Sequence, residues 1–167
     1  GDNISTLRFF EVEVTRAEQP LDDVKGSWRY GQFDNNMQHI SAVGYYFGRH
    51  LQEVLKIPVG LIGIYEGGTA AEEWTNKELF DQCAELRGTY TASQPVGCLY
   101  NGMVAPITPY KNSGIIWYQG ENNVGHQHSY KTLIEVMTKG WRSDFEDSTL
   151  PFYLAQLTSY GNDDWRT

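Results

Sequence analysis

Two short stretches of the sequence decide the fold. The first is VGLIGIYEGGT at residues 59–69, in which a continuous apolar run ends in two glycines flanked by polar residues. Such a run is typical of a strand buried on both faces of a sheet. The second is IIWYQGENN at residues 115–123, which also changes from apolar to polar residues beside a glycine. Together they predict two buried strands, each followed by a loop whose backbone can approach a ligand closely.

Strand and helix patterns alternate along the rest of the chain. The strand patterns cover residues 7–14, 59–65, 114–118 and 152–157, and the helix patterns cover residues 40–55, 75–86 and 130–141. In the first strand, we expect Phe10, Val12 and Val14 to face inward because they alternate with glutamates. The alternation of strands with helices predicts an α/β fold with a parallel sheet and right-handed crossovers.

The sequence also predicts where two of the helices begin and end. Ser41 or a neighbour is expected to cap the first helix, whose apolar positions recur at helical spacing, and Pro58 is expected to end it. The segment TNKE at Thr75–Glu78 fits a capping box that begins a second helix, which runs toward Leu86.

The bulk composition favours a single globular domain over residues 1–167 and disfavours several classes of function. The 40% apolar content is enough for a core, and 13 basic against 21 acidic residues give a net charge of -8. Without a cluster of Lys or Arg, nucleic acid and anionic membranes are poor partners. No apolar run approaches the roughly 20 residues of a membrane helix, and the start GDNISTLRFF lacks a signal layout. Cys83 and Cys98 are expected to be free thiols, with a single disulfide as the alternative.

The polar loops after the second and third strands suggest the chemistry of acyl transfer. Ligands bind beyond the carboxyl ends of parallel strands, where both loops are expected to lie. Their amide groups could converge as donors on an oxyanion, and Glu121 could orient a histidine base. The candidate donors are the backbone N–H groups of Gly67 and Gly68 and the side-chain amides of Gln119, Asn122 and Asn123. The alternative is that the glycines only turn the chain and the amides cap the following helix.

Four segments, in this order, form a specific combination. They are SAVGYYFGRHLQEVLKIPVGLI at residues 41–62, GGTAAEEW at residues 67–74, LYNGMVAPI at residues 99–107 and IIWYQGENN at residues 115–123. Together they resemble the sialate O-acetylesterase family of SGNH-type carbohydrate esterases. The resemblance implies a flavodoxin-like three-layer α/β fold and removal of O-acetyl groups from glycans by a serine nucleophile, without a cofactor or metal. Sialic acid is the leading substrate, acetylated xylan or another glycan is the alternative, and a periplasmic or secreted location is the family's common habit.

The resemblance also implies roles for individual residues. Gly67 and Gly68 match the glycine block that supplies an oxyanion-hole amide. The segment Gln119-Gly120-Glu121 matches the block on the next strand, where the glutamine or a nearby amide faces the oxyanion. Because some members use the glutamate of this block as the acid of the triad, Glu121 is the candidate for that role.

The sequence departs from the family pattern in ways that affect the expected activity. Asn122 stands where Ser or Ala is common, and Glu66 precedes the glycines where Trp is frequent. The family's nucleophile segment G-Q-S-N-M and its base segment D-x-x-H have no match, since GQFDNNM at residues 31–37 contains no serine. We therefore expect an internal fragment that lacks the first strand and the carboxyl-terminal segment of the fold, and whose partners include those flanking segments. The missing strand would leave a gap between the strands at residues 7–14 and 59–65, and the isolated chain would be nearly inactive.

Two alternatives to a serine esterase stay open, and no serine of the chain is a clear nucleophile. Ser41, Ser113 and Ser129 lack the glycine pattern of a nucleophile elbow. In the segment VGHQH, His126 and His128 could form a metal pair with a carboxylate, which would make the protein a metal-dependent hydrolase. The 5 Trp and 11 Tyr residues also allow a carbohydrate-binding protein that never hydrolysed its ligand. The other two histidines, His39 and His50, are expected on the surface of the first helix.

Overall fold

The computed structural model describes residues 6–30, 40–90 and 93–158. They form two compact units, one made of the residues up to Val14 together with Val24–Tyr65, the other of Thr15–Asp23 together with the residues from Glu66 onward. Each unit contains a parallel strand pair, which agrees with the predicted α/β class. A single domain over residues 1–167 stays a prediction.

The first unit contains a three-stranded sheet. Its strands are β1 (Leu7–Val12), β2 (Gly26–Tyr30) and β3 (Val59–Gly63), in the order β2-β1-β3. β1 runs parallel to β3 and antiparallel to β2. The predicted gap between the strands at residues 7–14 and 59–65 is therefore wrong, because β1 pairs directly with β3 and so satisfies the backbone groups that a gap would leave unpaired. The sequence analysis missed β2 because all of its residues are exposed and it carries no apolar alternation.

The predicted inner face of β1 is only partly correct. Val12 is buried, but Val14 lies beyond the end of the strand and is exposed. The core is instead formed by Leu7 and Phe9, and Phe9 stacks on Tyr45 with 6.3 Å between the ring centroids. Phe10 points to the other face, where it packs on Trp28 of β2.

The helix of the first unit, α1 (Ala42–Leu55), begins as predicted at Ser41. The Ser41 hydroxyl oxygen accepts a hydrogen bond from the backbone N–H of Gly44 at 3.3 Å. The helix ends when Lys56 adopts the left-handed conformation, before Pro58 is reached. Its predicted apolar face is displaced, since Val54 and Leu55 are exposed while Tyr45 and Gly48 are buried. The reason is close packing, because a Cβ atom at Gly48 would lie 2.6 Å from Leu61 Cδ1 of β3.

The second unit contains the parallel pair β4 (Ile115–Trp117) and β5 (Phe152–Leu154) and the helices α2 (Lys77–Gln82) and α3 (Gln127–Asp144). α2 is shorter than predicted and its cap is Asn76, whose Oδ1 accepts from the N–H of Glu78 at 2.9 Å. The predicted capping residue, Thr75, is fully buried and donates its hydroxyl to the carbonyl of Ala71. A side chain turned into the core is not free to cap a helix, and Asn is the stronger capping residue.

An aromatic column forms the core of the second unit. The rings of Trp74, Trp117, Trp141 and Phe152 follow one another at centroid distances of 6.5, 6.0 and 5.9 Å. The indole N–H of Trp141 donates to the carbonyl of Trp74 at 3.0 Å, so the buried ring keeps its hydrogen bond. α3 contributes Trp141 as part of the predicted apolar stripe. No helix among the described residues is long and apolar enough to cross a membrane.

The glycine of the LYNGM segment allows a close backbone contact in the second unit. The buried turn Tyr100–Val104 packs against the segment 15–23, where Asn101 Nδ2 donates to the carbonyls of Ala17 and Glu18. A Cβ atom at Gly102 would overlap the backbone carbonyl of Thr15, with the carbonyl carbon 2.7 Å away. Because backbone atoms cannot rotate aside, only glycine fits at this position.

We predict that Gly102→Ala lowers the free energy of unfolding by about 1–3 kcal/mol or more, the usual range for overpacking. The measurement is urea denaturation of the purified chain followed by tryptophan fluorescence. Gly114→Ala is the matched control, because its added Cβ would meet its nearest atom, the Pro151 carbonyl oxygen, at an ordinary 3.4 Å. Equal unfolding midpoints for the two variants would contradict the steric explanation.

Candidate active site

The loops at residues 66–74 and 119–123 lie in contact within the second unit. Gln119 Nε2 donates to the backbone carbonyl of Thr69 at 3.0 Å. The backbone N–H of Ala71 donates to Asn123 Oδ1, also at 3.0 Å. Two of the predicted site residues, Gln119 and Asn123, are thus bonded to the segment that directly follows Gly68.

Two side-chain amides form the centre of this contact. Gln119 Nε2 makes a second hydrogen bond, to Asn123 Oδ1 at 2.7 Å, and Asn123 Nδ2 donates to Glu72 Oε2 at 2.7 Å. The Tyr130 hydroxyl donates to the backbone carbonyl of Gln119 at 3.0 Å and lies 3.1 Å from its Oε1. Since both hydrogens of the Gln119 amide are occupied, this side chain holds the two loops together rather than offering a donor to a ligand.

The glycine turn at Gly67 and Gly68 contains two backbone donors that have no acceptor among the described residues. Gly67 and Gly68 are both exposed, and Gly68 has φ +73°, a conformation that favours glycine. No described residue accepts a hydrogen bond from the N–H of either glycine. Thr69 fixes the turn, because its hydroxyl donates to the carbonyl of Glu66 at 2.9 Å and accepts from Trp74 Nε1 at 2.9 Å. Fixed, unoccupied N–H groups of this kind are what an oxyanion site requires.

A second glycine shapes the other loop. Gly120 has φ +154°, and a Cβ atom there would lie 2.8 Å from Leu157 Cδ1. The chain then forms a one-turn helix, Glu121–Asn123, in which Asn123 is buried while Glu121 and Asn122 are exposed. The carboxylate of Glu121 is therefore accessible to a partner, and its role as the acid of a triad stays a prediction.

Two buried carboxylates of the GGTAAEEW segment were missed by the sequence analysis. Glu72 and Glu73 are only 2% and 3% exposed. Glu73 Oε1 accepts from the backbone N–H of Ala70 at 3.0 Å, and its other oxygen lies 3.8 Å from Arg16 Nε and from Cys98 Sγ. The sequence does contain a signal, since two acidic residues stand between a glycine turn and a tryptophan. At such a place it is not expected that both acidic side chains are exposed.

A cleft of about 540 Å³ borders this network. It lies between the carboxyl ends of β4 and β5 and helix α3, and its lining includes Trp117, Gln119, Tyr130, Leu154 and Leu157. Burial raises the pKa of the Tyr130 phenol, with an opposing effect from the Trp117 indole and smaller reinforcing effects from Glu121 and Glu72. The hydroxyl therefore stays protonated and remains a donor at neutral pH.

The serines that were considered as nucleophiles occupy ordinary structural positions. Ser41 caps α1, Ser129 donates its hydroxyl to the carbonyl of His126 at 3.1 Å, and Ser113 is exposed in the bend before β4. Among the described residues, no serine hydroxyl is hydrogen-bonded to an imidazole. The segment GQFDNNM at residues 31–37 lies outside the described residues.

The histidines that were considered as metal ligands lie near the start of α3. His126 and His128 are exposed and line a second cleft of about 510 Å³ together with Glu85. Within the part of the chain that the structure describes, no three His, Cys, Asp or Glu side chains are grouped so as to hold a metal ion. His50 is exposed on α1 as predicted, and His39 lies outside the described residues.

Comparisons with known proteins point to one family. The family model described as carbohydrate esterase, sialic acid-specific acetylesterase, matches residues 4–167. The chain is 28% identical to sialate O-acetylesterase of Rattus norvegicus over 93% of this chain and 38% of that protein, and 29% identical to that of Homo sapiens over 92% and 34%. It also resembles the crystal structure of a novel carbohydrate acetylesterase from Xanthomonas citri, with a TM-score of 0.82 and 31% identity over 93% of this chain and 34% of that chain. This likeness confirms the predicted fold class, and the chain spans about a third of the length of these relatives.

We predict that the two cysteines differ strongly in reactivity. Cys83 is partly exposed, whereas Cys98 is buried, and burial together with the nearby Glu73 raises the pKa of its thiol, while Arg16 opposes this shift. At about pH 8, fewer Cys98 side chains are therefore in the reactive thiolate form. Alkylation of the native chain with iodoacetamide, followed by peptide mass spectrometry, should label Cys83 well before Cys98. Denaturant should make the two rates similar, and equal rates in the native chain would show the prediction to be wrong.

Proposed function

The chain belongs to the family of carbohydrate esterases described as sialic acid-specific acetylesterases, and we propose that it is part of an enzyme that removes O-acetyl groups from sugars. The observation that carries the proposal is the turn at Gly67 and Gly68. Both glycines are exposed, their backbone N–H groups have no acceptor among the described residues, and the side chains of Asn123 and Gln119 hold the residues that follow them. Acyl transfer requires such donors where negative charge develops on the carbonyl oxygen.

The proposed reaction is serine-based. The serine oxygen attacks the acetyl carbonyl while a histidine takes the serine proton, and the oxyanion accepts hydrogen bonds from the Gly67 and Gly68 N–H groups. The histidine then returns the proton to the departing sugar hydroxyl, and water releases acetate from the acyl-enzyme. We assign Glu121 the role of orienting the histidine. In this assignment, Gln119 and Asn123 support the donor turn.

The nucleophile and the base are proposed to come from other parts of the same protein. The described serines carry no histidine partner, and the chain spans about a third of its relatives. We therefore expect the isolated chain to have little activity. We also propose an exported location, periplasmic or secreted, because this location is common in the family.

The proposed substrate is an O-acetylated sugar, with sialic acid first. Two of the relatives are called sialate O-acetylesterases, and the Xanthomonas citri relative is called a carbohydrate acetylesterase. Acetylated xylan and other acetylated glycans are therefore the alternative substrates. Comparison of kcat/KM for O-acetylated sialic acid and for acetylated xylan separates the two.

The test of the proposal is acetate release by the 167-residue chain and by the longer protein that contains it. We expect release by the longer protein and almost none by the isolated chain. Comparable rates for both would place the nucleophile within these residues, and loss of those rates on addition of a chelator would favour a metal-dependent hydrolase using His126 and His128. Sugar binding by the longer protein without acetate release would favour the carbohydrate-binding alternative.

We predict that Gly68→Ala reduces kcat of the longer protein by about tenfold or more. The variant keeps the backbone N–H but disfavours the φ of +73° that positions it, and a fully lost oxyanion donor costs about 10²-fold. Gly88→Ala is the matched control, because Gly88 has φ +74° and, like Gly68, open space around the added Cβ. Both changes should cost a similar ~1 kcal/mol of stability, since both place an alanine in the left-handed region. Equal kcat values for the two variants would contradict the role of the Gly68 amide.

A further inference from the structure

Glu72 places a carboxyl group in a buried position, where a polar group is costly unless it is hydrogen-bonded. Its side chain is 2% exposed, and Asn123 Nδ2 donates to its Oε2 at 2.7 Å. A buried carboxylate without partners is strongly unfavourable. Among the described residues, Asn123 is the only donor to this carboxylate. Glu72 has no role in the steps of the proposed reaction.

The carboxylate selects one orientation of the Asn123 amide. The oxygen Oε2 of Glu72 accepts from the NH₂ end of Asn123, so this end of the amide faces Glu72. The oxygen end then faces the two donors on the other side, the backbone N–H of Ala71 at 3.0 Å and Gln119 Nε2 at 2.7 Å. If the amide were reversed, its oxygen would face the carboxylate and its NH₂ group would face these two donors.

The orientation of Asn123 fixes the orientation of the Gln119 amide, which in turn bonds the chain next to the glycine turn. With one hydrogen of Gln119 Nε2 on Asn123 Oδ1, the other reaches the Thr69 carbonyl at 3.0 Å. The Tyr130 hydroxyl lies 3.1 Å from Oε1, the opposite end of this amide. Thr69 directly follows Gly68, so the network holds the chain one residue beyond the proposed oxyanion donor.

We propose that Glu72 is a positioning residue of the acyl-transfer site, which orients the amides of Asn123 and Gln119 and through them holds the Gly67 and Gly68 N–H groups in place. The inference rests on the proposed function. It assigns Glu72 a role through other residues and no contact with the substrate. A displacement of the donor turn by about 1 Å would reduce the rate about 10²-fold.

The other titratable groups near Glu72 are neutral or paired elsewhere, so the hydrogen bond to Asn123 is its main polar interaction. Tyr130 approaches from α3 and Tyr90 from the segment after α2, and burial raises the pKa of both phenols, so that both are neutral. The neighbouring Glu73 is paired with Arg16, which also contacts Glu66. A variant that places a carboxyl group at position 123 is therefore expected to act through the hydrogen bond between residues 72 and 123.

Three variants of the longer protein test the proposal, with 4-nitrophenyl acetate as the substrate. Glu72→Ala removes the acceptor and should lower kcat by about tenfold to a hundredfold with little change in KM. Glu72→Gln keeps an acceptor oxygen toward Asn123 and should restore most of the rate. Wild-type kcat in Glu72→Ala would overturn the proposal, as would an equal loss in Glu72→Gln.

Asn123→Asp provides a pH readout that a purely structural role would not give. The new carboxyl group faces Glu72, and two adjacent carboxylates raise the pKa of one of them. At low pH the pair shares a proton and keeps a hydrogen bond, whereas at high pH both are ionised and repel each other. The ratio of kcat in Asn123→Asp to kcat in the wild type should therefore fall as the pH rises. Asn101→Asp is the matched control, since Asn101 is a buried amide bonded to the carbonyls of Ala17 and Glu18, and its ratio should not follow that profile.

A second readout separates this inference from the proposed function. Side-chain amide signals of Asn123 and Gln119, observed by NMR in the 167-residue chain, should both shift in Glu72→Ala and return toward their original positions in Glu72→Gln. If the wild-type longer protein is inactive, the proposed function is wrong. The NMR signals still test whether Glu72 orients Asn123 and Gln119. Unshifted signals would overturn this orienting role, and if Glu72→Ala does not fold, Glu72→Gln and Asn123→Asp supply the comparison.

Discussion

The hydrogen bonds of the Asn123 side chain are the interaction on which the candidate site depends. One amide group contacts Ala71, Gln119 and Glu72, so it joins two loops that are about fifty residues apart in sequence and uses three of its hydrogen-bonding positions in a largely buried region. In such a region a satisfied polar network is strong and an unsatisfied one is costly. The loops are therefore held in one arrangement, and the turn at Gly67 and Gly68, which directly precedes Thr69, is held with them.

The same network includes the buried acidic residue Glu72. Burial of a carboxylate rarely stabilises a fold, because the loss of hydration offsets most of the attraction to its partners. Glu72 is retained at 2% exposure, where an apolar residue of similar size would fill the same volume. An orienting role gives a reason for that cost. The aromatic column of Trp74, Trp117 and Trp141 supplies the apolar packing that offsets it.

Local patterns in the sequence predicted the local features of the fold. The apolar runs located β3 and β4, the helical stripe located α3, and Ser41 was identified as the cap of α1, because each depends on neighbours a few residues away. Features that depend on distant contacts were missed or wrong. The pairing of β1 with β3, the inward turn of Thr75 and the exposed strand β2 are set by tertiary packing. For the candidate site, the sequence predicted that the two polar loops lie together, while the roles of Gly67, Gly68 and the Gln119–Asn123 loop stay predictions. The pairing of Glu72 with Asn123 spans 51 residues and has no signal in spacing.

The central claim is that the glycine turn, held by this network, supplies the donors for an oxyanion. The most direct measurement is a crystal structure of the longer protein after inactivation by a phosphonate ester, whose phosphonyl oxygen occupies the place of the oxyanion. The account predicts that this oxygen lies about 2.7–3.1 Å from the backbone nitrogen of Gly67 or Gly68, with Gln119 still bonded to Thr69 and Asn123. An oxygen bound instead by the released side-chain amide of Gln119, with both glycine nitrogens out of hydrogen-bond range, would contradict it.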